Sequence, residues 1–316
     1  MVWNVILLIV GILLLIKGAD DFVEGASTIA KKMRIPALVI GLTLVSIGTS
    51  MPELSVSLTA SINGQNDMSF GNVVGSNIFN TFVVIGVASL FTPMLIDKNM
   101  KKYDLPILMG IYGLLALFAF VVTPGTIETW EAIILFSFTF TYIAFLLYRS
   151  RKEIKEGGDY DLEELKEIKT SSNLFLIACG LAGIIGGGTL VVDNAEIIAK
   201  ALGMSELLVG LTVVSIGTSL PELVTSVVAA KKGENDIAVG NAIGSSLFNV
   251  VLILGLSSTI KPMAVDMSSL VDIAVMFASA LLIFIISFTK GHVNRWKGIL
   301  LLLVYIAYFA YIIVRN

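Results

Sequence analysis

Two short segments of the 316-residue sequence carry the same polar residues inside otherwise apolar stretches. Residues 48–53 read GTSMPE and residues 217–222 read GTSLPE. A proline inside a helix lacks an N–H, so the carbonyl four residues earlier, at Gly48 and at Gly217, loses its helical partner. Each segment adds two hydroxyls and a carboxylate, all hard oxygen donors. The polar residues and prolines concerned are Thr49, Ser50, Pro52 and Glu53, and Thr218, Ser219, Pro221 and Glu222.

A second pair of segments, residues 71–80 and 240–249, places amides and hydroxyls on one face of a helix. Polar residues recur there at every fourth position, which puts them on one side of a helix. They are Asn72, Ser76 and Asn80, and Asn241, Ser245 and Asn249. Four glycines with the same spacing predict the close approach of a neighbouring helix. They are Gly71, Gly75, Gly240 and Gly244.

The donors of these segments favour a hard cation. Two carboxylates combine with carbonyl, hydroxyl and amide oxygens, without a histidine or a thiol among them, whereas transition metals favour imidazole or thiolate ligands. Ca²⁺ accepts about 6–8 oxygens in a flexible cage, and Mg²⁺ demands a tight octahedron and gives up its water reluctantly. The donor set therefore favours calcium over magnesium.

The composition indicates that lipid surrounds these segments. The chain is 56% hydrophobic and 14% charged, with a mean hydropathy of +0.91, whereas soluble domains are about 25% charged. The formal net charge of −3 provides no basic field for nucleic acid. The single cysteine, Cys179, can form neither an internal disulfide nor a zinc cluster. We expect an integral membrane protein, and we exclude a disordered chain, a nucleic-acid binder and a disulfide-stapled secreted scaffold.

Ten stretches are candidates for membrane-spanning helices, which need about 20 mostly apolar residues. Eight are uncharged: 1–16, 68–96, 105–127, 132–148, 170–192, 237–260, 273–289 and 298–314. Two more, 35–66 and 207–230, each contain one glutamate within the span, Glu53 or Glu222. The first stretch reaches spanning length only if its helix continues past Lys17 and Asp21, which could pair at i, i+4.

Lysine and arginine predict the orientation of these helices. With alternating spans, 17 of the 21 basic residues fall in loops on one side and 3 on the other, with Lys17 inside a span. Basic loops face the cytoplasm. We therefore expect a multi-pass protein of the cell membrane with both termini outside and the polar segment 149–171 in the cytoplasm.

The chain repeats itself at an offset of 169 residues. Residues 41–57 match residues 210–226 at 13 of 17 positions, and 71–80 match 240–249 at 6 of 10. Each unit holds five spans, an odd number, so the second unit must enter the membrane inverted. Inverted repeats with broken helices near the midplane are typical of transporters. We predict an all-α integral membrane protein of ten transmembrane helices, built as two inverted five-helix repeats, 1–148 and 172–316, joined by the charged linker 149–171.

The paired G-T-S-x-P-E and G-N-x-x-G-S-x-x-F-N motifs resemble the two alpha-repeats of the cation/calcium antiporter superfamily, most closely its prokaryotic sodium/calcium exchanger branch. The resemblance covers the whole chain and implies alternating access around a central group of ion sites. It implies that Glu53 and Glu222 bind calcium together with the carbonyls of Thr49 and Thr218. The implied sodium sites use the same glutamates with Ser50, Ser76, Ser219, Ser245 and the carbonyls at Ser46 and Ser215. Asn80 and Asn249 would line the middle position.

Differences from other branches of this superfamily argue against potassium and proton coupling. Asn249 stands where potassium-dependent exchangers carry an aspartate, which argues against potassium co-transport. The proton-coupled branch has a G-N-A-x-E-like signature in place of G-T-S-x-P-E, and this chain lacks it. Glu24 and Asp193 correspond across the 169-residue offset. They are either interfacial charges or contacts that differ between the two access states.

We therefore expect a secondary antiporter, not an enzyme, that exchanges sodium for calcium and moves net charge. A calcium/proton exchanger on the same fold and, less favoured, a calcium channel remain alternatives, since Glu53 and Glu222 could titrate. An intramembrane enzyme is disfavoured because no nucleophile–base pair is evident. The expected ligands are calcium, sodium and the lipid bilayer, without a cofactor, nucleic acid or obligate protein partner.

Overall fold

The computed structural model describes residues 1–155, 170–203, 215–288 and 291–315. Its α-helices are α1 Val2–Met33, α2 Ala37–Ile40, α3 Ser46–Thr49, α4 Met51–Ile62, α5 Asn66–Phe79, α6 Ile85–Phe91, α7 Leu105–Leu117, α8 Thr129–Lys155, α9 Thr170–Ala201, α10 Ser215–Thr218, α11 Leu220–Lys231, α12 Asn235–Phe248, α13 Gly255–Ile260, α14 Ser269–Phe288 and α15 Arg295–Arg315. Between them lie the π-helical turns Gly41–Val45, Asn80–Val84, Met100–Asp104, Phe118–Val122 and Asn249–Leu254.

Long apolar helices dominate the described residues, which confirms an integral membrane protein. Eight of them are long and apolar enough to cross a bilayer: Val2–Met33, Met68–Phe91, Met100–Val122, Thr129–Lys152, Ser171–Ala201, Asn235–Ile260, Ser269–Phe288 and Arg295–Arg315. A ninth candidate is the bent pair Ala37–Thr49 and Met51–Ile62. The predicted span 207–230 lies partly outside the described residues, because these omit residues 204–214.

The predicted charged linker 149–171 is only partly described. Helix α8 continues through Lys155, seven residues past the predicted boundary at 148, and α9 begins at Thr170. Residues 156–169 lie outside the described residues.

The first helix extends well beyond Lys17, whose ammonium lies 2.6 Å from the Asp21 carboxylate, so the predicted i, i+4 pair is confirmed.

Two helices form the centre of the bundle. In the most apolar window of Asn235–Ile260, 94% of residues are buried, and in that of Met68–Phe91 83% are buried, whereas the other spanning helices range from 11% to 39%. Both central helices change to a π-helical turn at an asparagine, Asn80 or Asn249. Such turns occur often at functional sites.

Helices α1 and α9 pack backbone to backbone through glycines. A Cβ added at Gly18 would lie 2.7 Å from the carbonyl oxygen of Gly180, and one added at Gly187 would lie 2.7 Å from that of Gly11. Any larger residue at these positions would therefore separate the two helices.

Close approach also occurs at Gly240 and Gly244 of α12, as predicted. A Cβ there would meet the backbone of Gly41 and of Leu42, at 3.0 and 2.9 Å. The counterparts of these partners, residues 207–211, lie outside the described residues. The expectation for Gly71 and Gly75 therefore remains a prediction.

The described residues include four two-residue strands, which join the two halves of the chain. The all-α prediction did not include them. Strand β1, Met94–Leu95, pairs antiparallel with β4, His292–Val293, and β2, Thr126–Ile127, pairs with β3, Met263–Ala264. Each pair takes one strand from each half. Two residues are too few to leave a period-2 pattern in the sequence.

Two Asp–Tyr–Arg clusters hold the ends of the peripheral helices. Asp104 is fully buried and accepts hydrogen bonds of 3.0 Å from both Tyr142 and Arg149. The second cluster is more exposed: Asp272 accepts from Tyr308 at 2.9 Å and from Arg315 at 3.0 and 3.1 Å. In both clusters the tyrosine precedes the arginine by two helical turns, so both side chains reach one carboxylate.

Candidate ion-binding site

Each GTSxPE segment contains a break between two helices. Ser50, with φ −84° and ψ 10°, separates α3 from α4, and Ser219, with φ −90° and ψ 3°, separates α10 from α11. The proline is the second residue of the following helix, where its missing N–H leaves no helical bond unmade. At Ser50 the helix axis bends by 48°. The break points a new helix N-terminus, which stabilises negative charge, into the bundle interior.

The third residue of each new helix is a fully buried glutamate. Glu53 and Glu222 are both 0% exposed. Ser50 donates a hydrogen bond of 2.7 Å to Oε1 of Glu222, and Ser219 donates one of 3.1 Å to Oε1 of Glu53. Each carboxylate is therefore held by a hydroxyl from the opposite break, and the two segments form one site.

Asn72 and Asn241 fix the two breaks to the neighbouring helices. The Asn72 amide nitrogen donates to the carbonyl of Glu53 at 3.3 Å and to the Ser57 hydroxyl at 2.9 Å. Its amide oxygen accepts from the Thr218 hydroxyl at 3.3 Å. With both ends of the amide engaged, Asn72 positions the backbone rather than offering a free ligand.

Asn241 repeats this arrangement in the other half. It donates to the carbonyl of Glu222 at 3.2 Å and to Ser226 at 2.9 Å, and it accepts from Thr49 at 3.0 Å. Thr49 and Thr218 are thus buried at the site, 0% and 2% exposed. Because the two threonine hydroxyls donate to the asparagine amides, the predicted ion ligands at Thr49 and Thr218 are their backbone carbonyls.

Ser76 and Ser245 add hydroxyls to the same junction. Ser219 lies 2.9 Å from Ser76, hydroxyl to hydroxyl, and Thr49 lies 3.4 Å from Ser245. The Ser245 hydroxyl also donates to the carbonyl of Ser46 at 3.3 Å. The backbone of Ser215 belongs to α10, but its side chain lies outside the described part of the structure.

At the candidate site, four buried carboxylate and amide oxygens accept no hydrogen bond from any residue that the structure describes. They are Oε2 of Glu53, Oε2 of Glu222, Oδ1 of Asn80 and Oδ1 of Asn249. The π-helical turn that begins at Asn80 packs against α11, and the one that begins at Asn249 packs against α4. Buried acceptors without a donor are costly. A desolvated cation would satisfy them and balance the carboxylates.

The repeated motifs do not mark one polar residue near the site, Asn77. Its amide oxygen accepts a 3.1 Å hydrogen bond from Asn249, and it is fully buried. The corresponding position in the second half is Ser246, so the repeat does not mark it. The sequence did contain one signal for Asn77: an asparagine directly after Ser76, within a predicted membrane span.

Gly48 and Gly217 let α1 and α9 lie beside the two breaks. A Cβ at Gly48 would lie 3.0 Å from Leu181 and 3.3 Å from Phe22, and one at Gly217 would lie 2.5 Å from Val192. These glycines therefore allow close packing, and the role of their carbonyls remains a prediction. Pro221 is likewise buried, whereas Pro52 is half-buried.

Glu24 and Asp193 have different surroundings despite their correspondence in sequence. Both are exposed, but Glu24 lies 3.1 Å from Lys232, which also pairs with Asp20 at 2.8 Å. Partial burial disfavours the charged ammonium, but hydrogen bonds to Asp20 and Glu24 outweigh it and raise the pKa of Lys232. Asp193 forms no ion pair among the described residues. Whether either contact changes between access states remains a prediction.

Comparison with known proteins identifies relatives along the whole chain. The family model described as sodium/calcium exchanger protein matches residues 3–150 and 172–314. The inner membrane protein YrbG of Escherichia coli (strain K12) is 40% identical over 265 residues, which cover 82% of this chain and 81% of that protein. The sodium/calcium exchanger MaX1 of Methanosarcina acetivorans is 35% identical and covers 96% of this chain and 97% of its own.

Solved structures agree with these relatives. The sodium-calcium exchanger NCX_Mj superimposes with a TM-score of 0.85 at 29% identity, covering 98% of each chain. The arrangement of helices around the site is therefore shared with a solved protein over nearly the entire length.

Proposed function

The chain belongs to the sodium/calcium exchanger protein family, and we propose that it is a secondary antiporter that exchanges sodium for calcium by alternating access. As a transporter, it would carry Na⁺ and Ca²⁺ as substrates and use no cofactor. The observation that carries this proposal is the pair of fully buried glutamates, each held by a serine of the opposite half and each with one oxygen that accepts no hydrogen bond from the described residues.

In the proposed calcium site, Glu53 and Glu222 supply two negative charges in a water-poor interior. Carbonyls at Thr49 and Thr218 add neutral oxygens. A divalent ion neutralises both carboxylates at once, and a cage of carboxylate and carbonyl oxygens suits the flexible coordination of Ca²⁺. The total charge of the site then selects a divalent over a single monovalent ion.

In the proposed sodium-bound form the same carboxylates are shared among several Na⁺ ions. Ser50 donates to Glu222, and Ser219 donates to Glu53 and lies 2.9 Å from Ser76. The Ser245 hydroxyl and the carbonyls of Ser46 and Ser215 complete the proposed sodium ligands. Asn80 and Asn249 offer the amide oxygens of the middle position. Because both ions need the same glutamates, sodium and calcium exclude each other, which is the requirement for exchange.

We further propose the architecture that alternating access needs. Two inverted five-helix repeats, 1–148 and 172–316, are joined by the linker 149–171, and the span 207–230 completes ten helices, with broken helices near the midplane. The reciprocal strand pairs and the reciprocal hydrogen bonds of Ser50 with Glu222 and of Ser219 with Glu53 support this. The proposed orientation places both termini outside the cell membrane and the linker in the cytoplasm.

A calcium/proton exchanger is the main alternative, because either glutamate could carry a proton instead of sodium. A calcium channel is a further one. Purified protein in liposomes separates them: calcium flux is measured under an imposed sodium gradient or an imposed proton gradient. We expect sodium to drive calcium movement and a proton gradient alone to drive none.

Counterflow distinguishes an exchanger from a channel. Liposomes preloaded with labelled calcium are diluted into buffer with or without unlabelled calcium. Because an exchanger must return loaded, external calcium should accelerate release of the label, whereas a channel would release it regardless. Equal release in both buffers would contradict the antiporter proposal.

A further inference from the structure

A basic groove lies between the start of the span Met100–Val122 and the end of α14. Six residues line a cavity of about 480 Å³: Lys98, Lys101, Lys102, Pro106, Phe284 and Phe288. The groove is separate from the buried site between the glutamates. In the orientation proposed above, its lysines belong to a cytoplasmic loop and its phenylalanines to the membrane boundary.

The three ammonium groups have no anionic partner among the residues that the structure describes. Lys101 lies 3.5 Å from the centre of the Phe288 ring, and Lys102 lies 4.9 Å from that of Tyr103. The carboxylate of neighbouring Asp97 instead accepts a 2.6 Å hydrogen bond from the backbone N–H of Asn99. Three like charges within five residues repel each other, and an anion in the groove would relieve that repulsion.

The position of the lysines along the helix adds to this repulsion. They occupy the first two turns of a helix that begins directly after Asp97. The N-terminal end of a helix carries partial positive charge, which disfavours cations and favours anions. The local field therefore selects a negatively charged ligand.

The opposite wall of the groove is apolar and continues along α14. Phe284 and Phe288 form an edge-to-face pair with ring centroids 5.0 Å apart, and Phe288 is 61% exposed. Leu281 and Ile285 are exposed on the same helix, two turns and one turn before Phe288, respectively. A ligand with a phosphate in the groove could place hydrocarbon along these side chains, which a free phosphate cannot do.

The second half of the chain shows that the fold does not require these lysines. At the 169-residue offset their counterparts are Met267, Leu270 and Val271, and at the 168-residue offset that relates Asp104 to Asp272 they are Asp266, Ser269 and Leu270. Helix α14 begins there without any cation. The basic groove is thus a feature of one face of the molecule only.

We propose that this groove binds an anionic phospholipid of the cytoplasmic leaflet, with its phosphate on Lys98, Lys101 and Lys102 and an acyl chain along α14. Basic pockets between spanning helices on the cytoplasmic side are suited to anionic head groups. The choice of leaflet rests on the proposed orientation, whereas binding itself does not depend on transport.

The test measures lipid retained by the purified full chain, by native mass spectrometry, after equal exposure to phosphatidylglycerol and phosphatidylcholine. We expect preferential retention of phosphatidylglycerol. The triple variant Lys98→Gln/Lys101→Gln/Lys102→Gln should abolish this preference. We expect each lysine to contribute a factor of about 5 in retained phosphatidylglycerol, which is equivalent to about 1 kcal/mol per basic side chain at an anionic surface. The single variant Lys101→Gln, with a smaller expected loss, serves if the triple variant fails to fold.

The control removes the same charge elsewhere on the same face. Lys32→Gln/Arg151→Gln/Lys152→Gln changes three basic residues that do not line the groove, and it should retain phosphatidylglycerol as the unmodified chain does. Equal loss in both triple variants would show a general charge effect and overturn the proposal, as would equal retention of the two lipids. Displacement of the lipid by millimolar inorganic phosphate would show that the groove recognises phosphate alone, and it would overturn the proposed lipid site. Lipid retention is measured without any transport assay. A chain that retains the lipid but does not transport calcium would therefore contradict the proposed exchange and leave the lipid site standing.

Discussion

The hydroxyl of Ser50 donates a 2.7 Å hydrogen bond to a carboxylate oxygen of Glu222, a residue 172 positions further along the chain. The reciprocal contact joins Ser219 to Glu53 at 3.1 Å. Each half of the chain therefore orients the acid of the other half. The geometry of both carboxylates therefore depends on how the two breaks face each other. If the proposed site binds ions, we expect binding to be coupled to the relative position of the breaks.

Replacing Ser50 by alanine tests this cross-orientation. The variant loses a hydrogen bond to a buried charged group, which is worth about 1.5–3 kcal/mol. We expect calcium affinity, measured by calorimetry or by the half-saturating concentration for flux, to fall by about 10-fold or more. Ser219→Ala should behave similarly, and Ser137→Ala, which loses only a bond to the carbonyl of Ile134, should leave affinity unchanged. Unaltered affinity in both site variants would remove the serines from the site.

Replacing Glu53 or Glu222 by glutamine keeps the shape of the side chain and removes one charge. A divalent ion in a low-dielectric interior needs both carboxylates. We expect either variant to lose calcium transport and the thermal stabilisation that bound calcium gives, while it remains folded. Glu196→Gln, which removes an i, i+4 pair with Lys200, is the charge-matched control. Near-normal calcium affinity in Glu53→Gln would contradict the assignment.

The repeat explains which parts of the site the sequence could predict. Residues such as Thr49, Ser50 and Glu53 recur with the same letters at one fixed offset, and their chemistry follows from type alone. The break itself was predictable because Pro52 cannot continue the preceding helix. Which hydroxyl faces which acid was not predictable, because that contact depends on packing between the halves.

The peripheral clusters were missed because the offset changes along the repeat. Asp104 and Asp272 are 168 positions apart, whereas Arg149 and Arg315 are 166 apart. A comparison at 169 therefore places neither pair in register. Asn77 was missed for a different reason: its counterpart, Ser246, breaks the match, and only the structure shows the bond from Asn249.

The two clusters should contribute unequally to stability. Asp104 is 0% exposed beside Arg149, so Arg149→Met leaves a buried carboxylate without its cation, and we expect a loss of about 3–5 kcal/mol in the free energy of unfolding. At the other cluster Arg315 is 25% exposed, and solvent screens its charge. Arg315→Met should cost about 1 kcal/mol or less. Thermal unfolding in detergent, with equal losses in both variants, would contradict this ranking.

The proposed orientation of the two repeats is testable with single cysteines. In a Cys179→Ala background, cysteines are placed at Asp159 and at Asn66. A membrane-impermeant maleimide should label Asp159→Cys only from the cytoplasmic side and Asn66→Cys only from outside, because an odd number of spans separates them. Labelling of both positions from the same side would contradict the inverted repeat.

Sodium-coupled exchange should move charge across the membrane. The two ionised glutamates give the site a charge of −2, which one Ca²⁺ or two Na⁺ would neutralise. In the proposed site, the hydroxyls and carbonyls around Glu53 and Glu222 form two sodium positions, and the middle position lined by Asn80 and Asn249 forms a third. Three sodium ions against one calcium carry one net positive charge in the direction of sodium, and each charge crossing 100 mV is worth about 2.3 kcal/mol.

In liposomes with an outward sodium gradient, calcium enters as three positive charges leave for every two that arrive. An inside-positive potential, set with external potassium and valinomycin, opposes entry of positive charge and favours its exit. It should therefore accelerate sodium-driven calcium uptake, and an inside-negative potential should slow it. Liposomes with valinomycin and equal potassium on both sides are the control. If uptake is indifferent to the imposed potential, exchange is electroneutral and the third sodium position is unoccupied during transport.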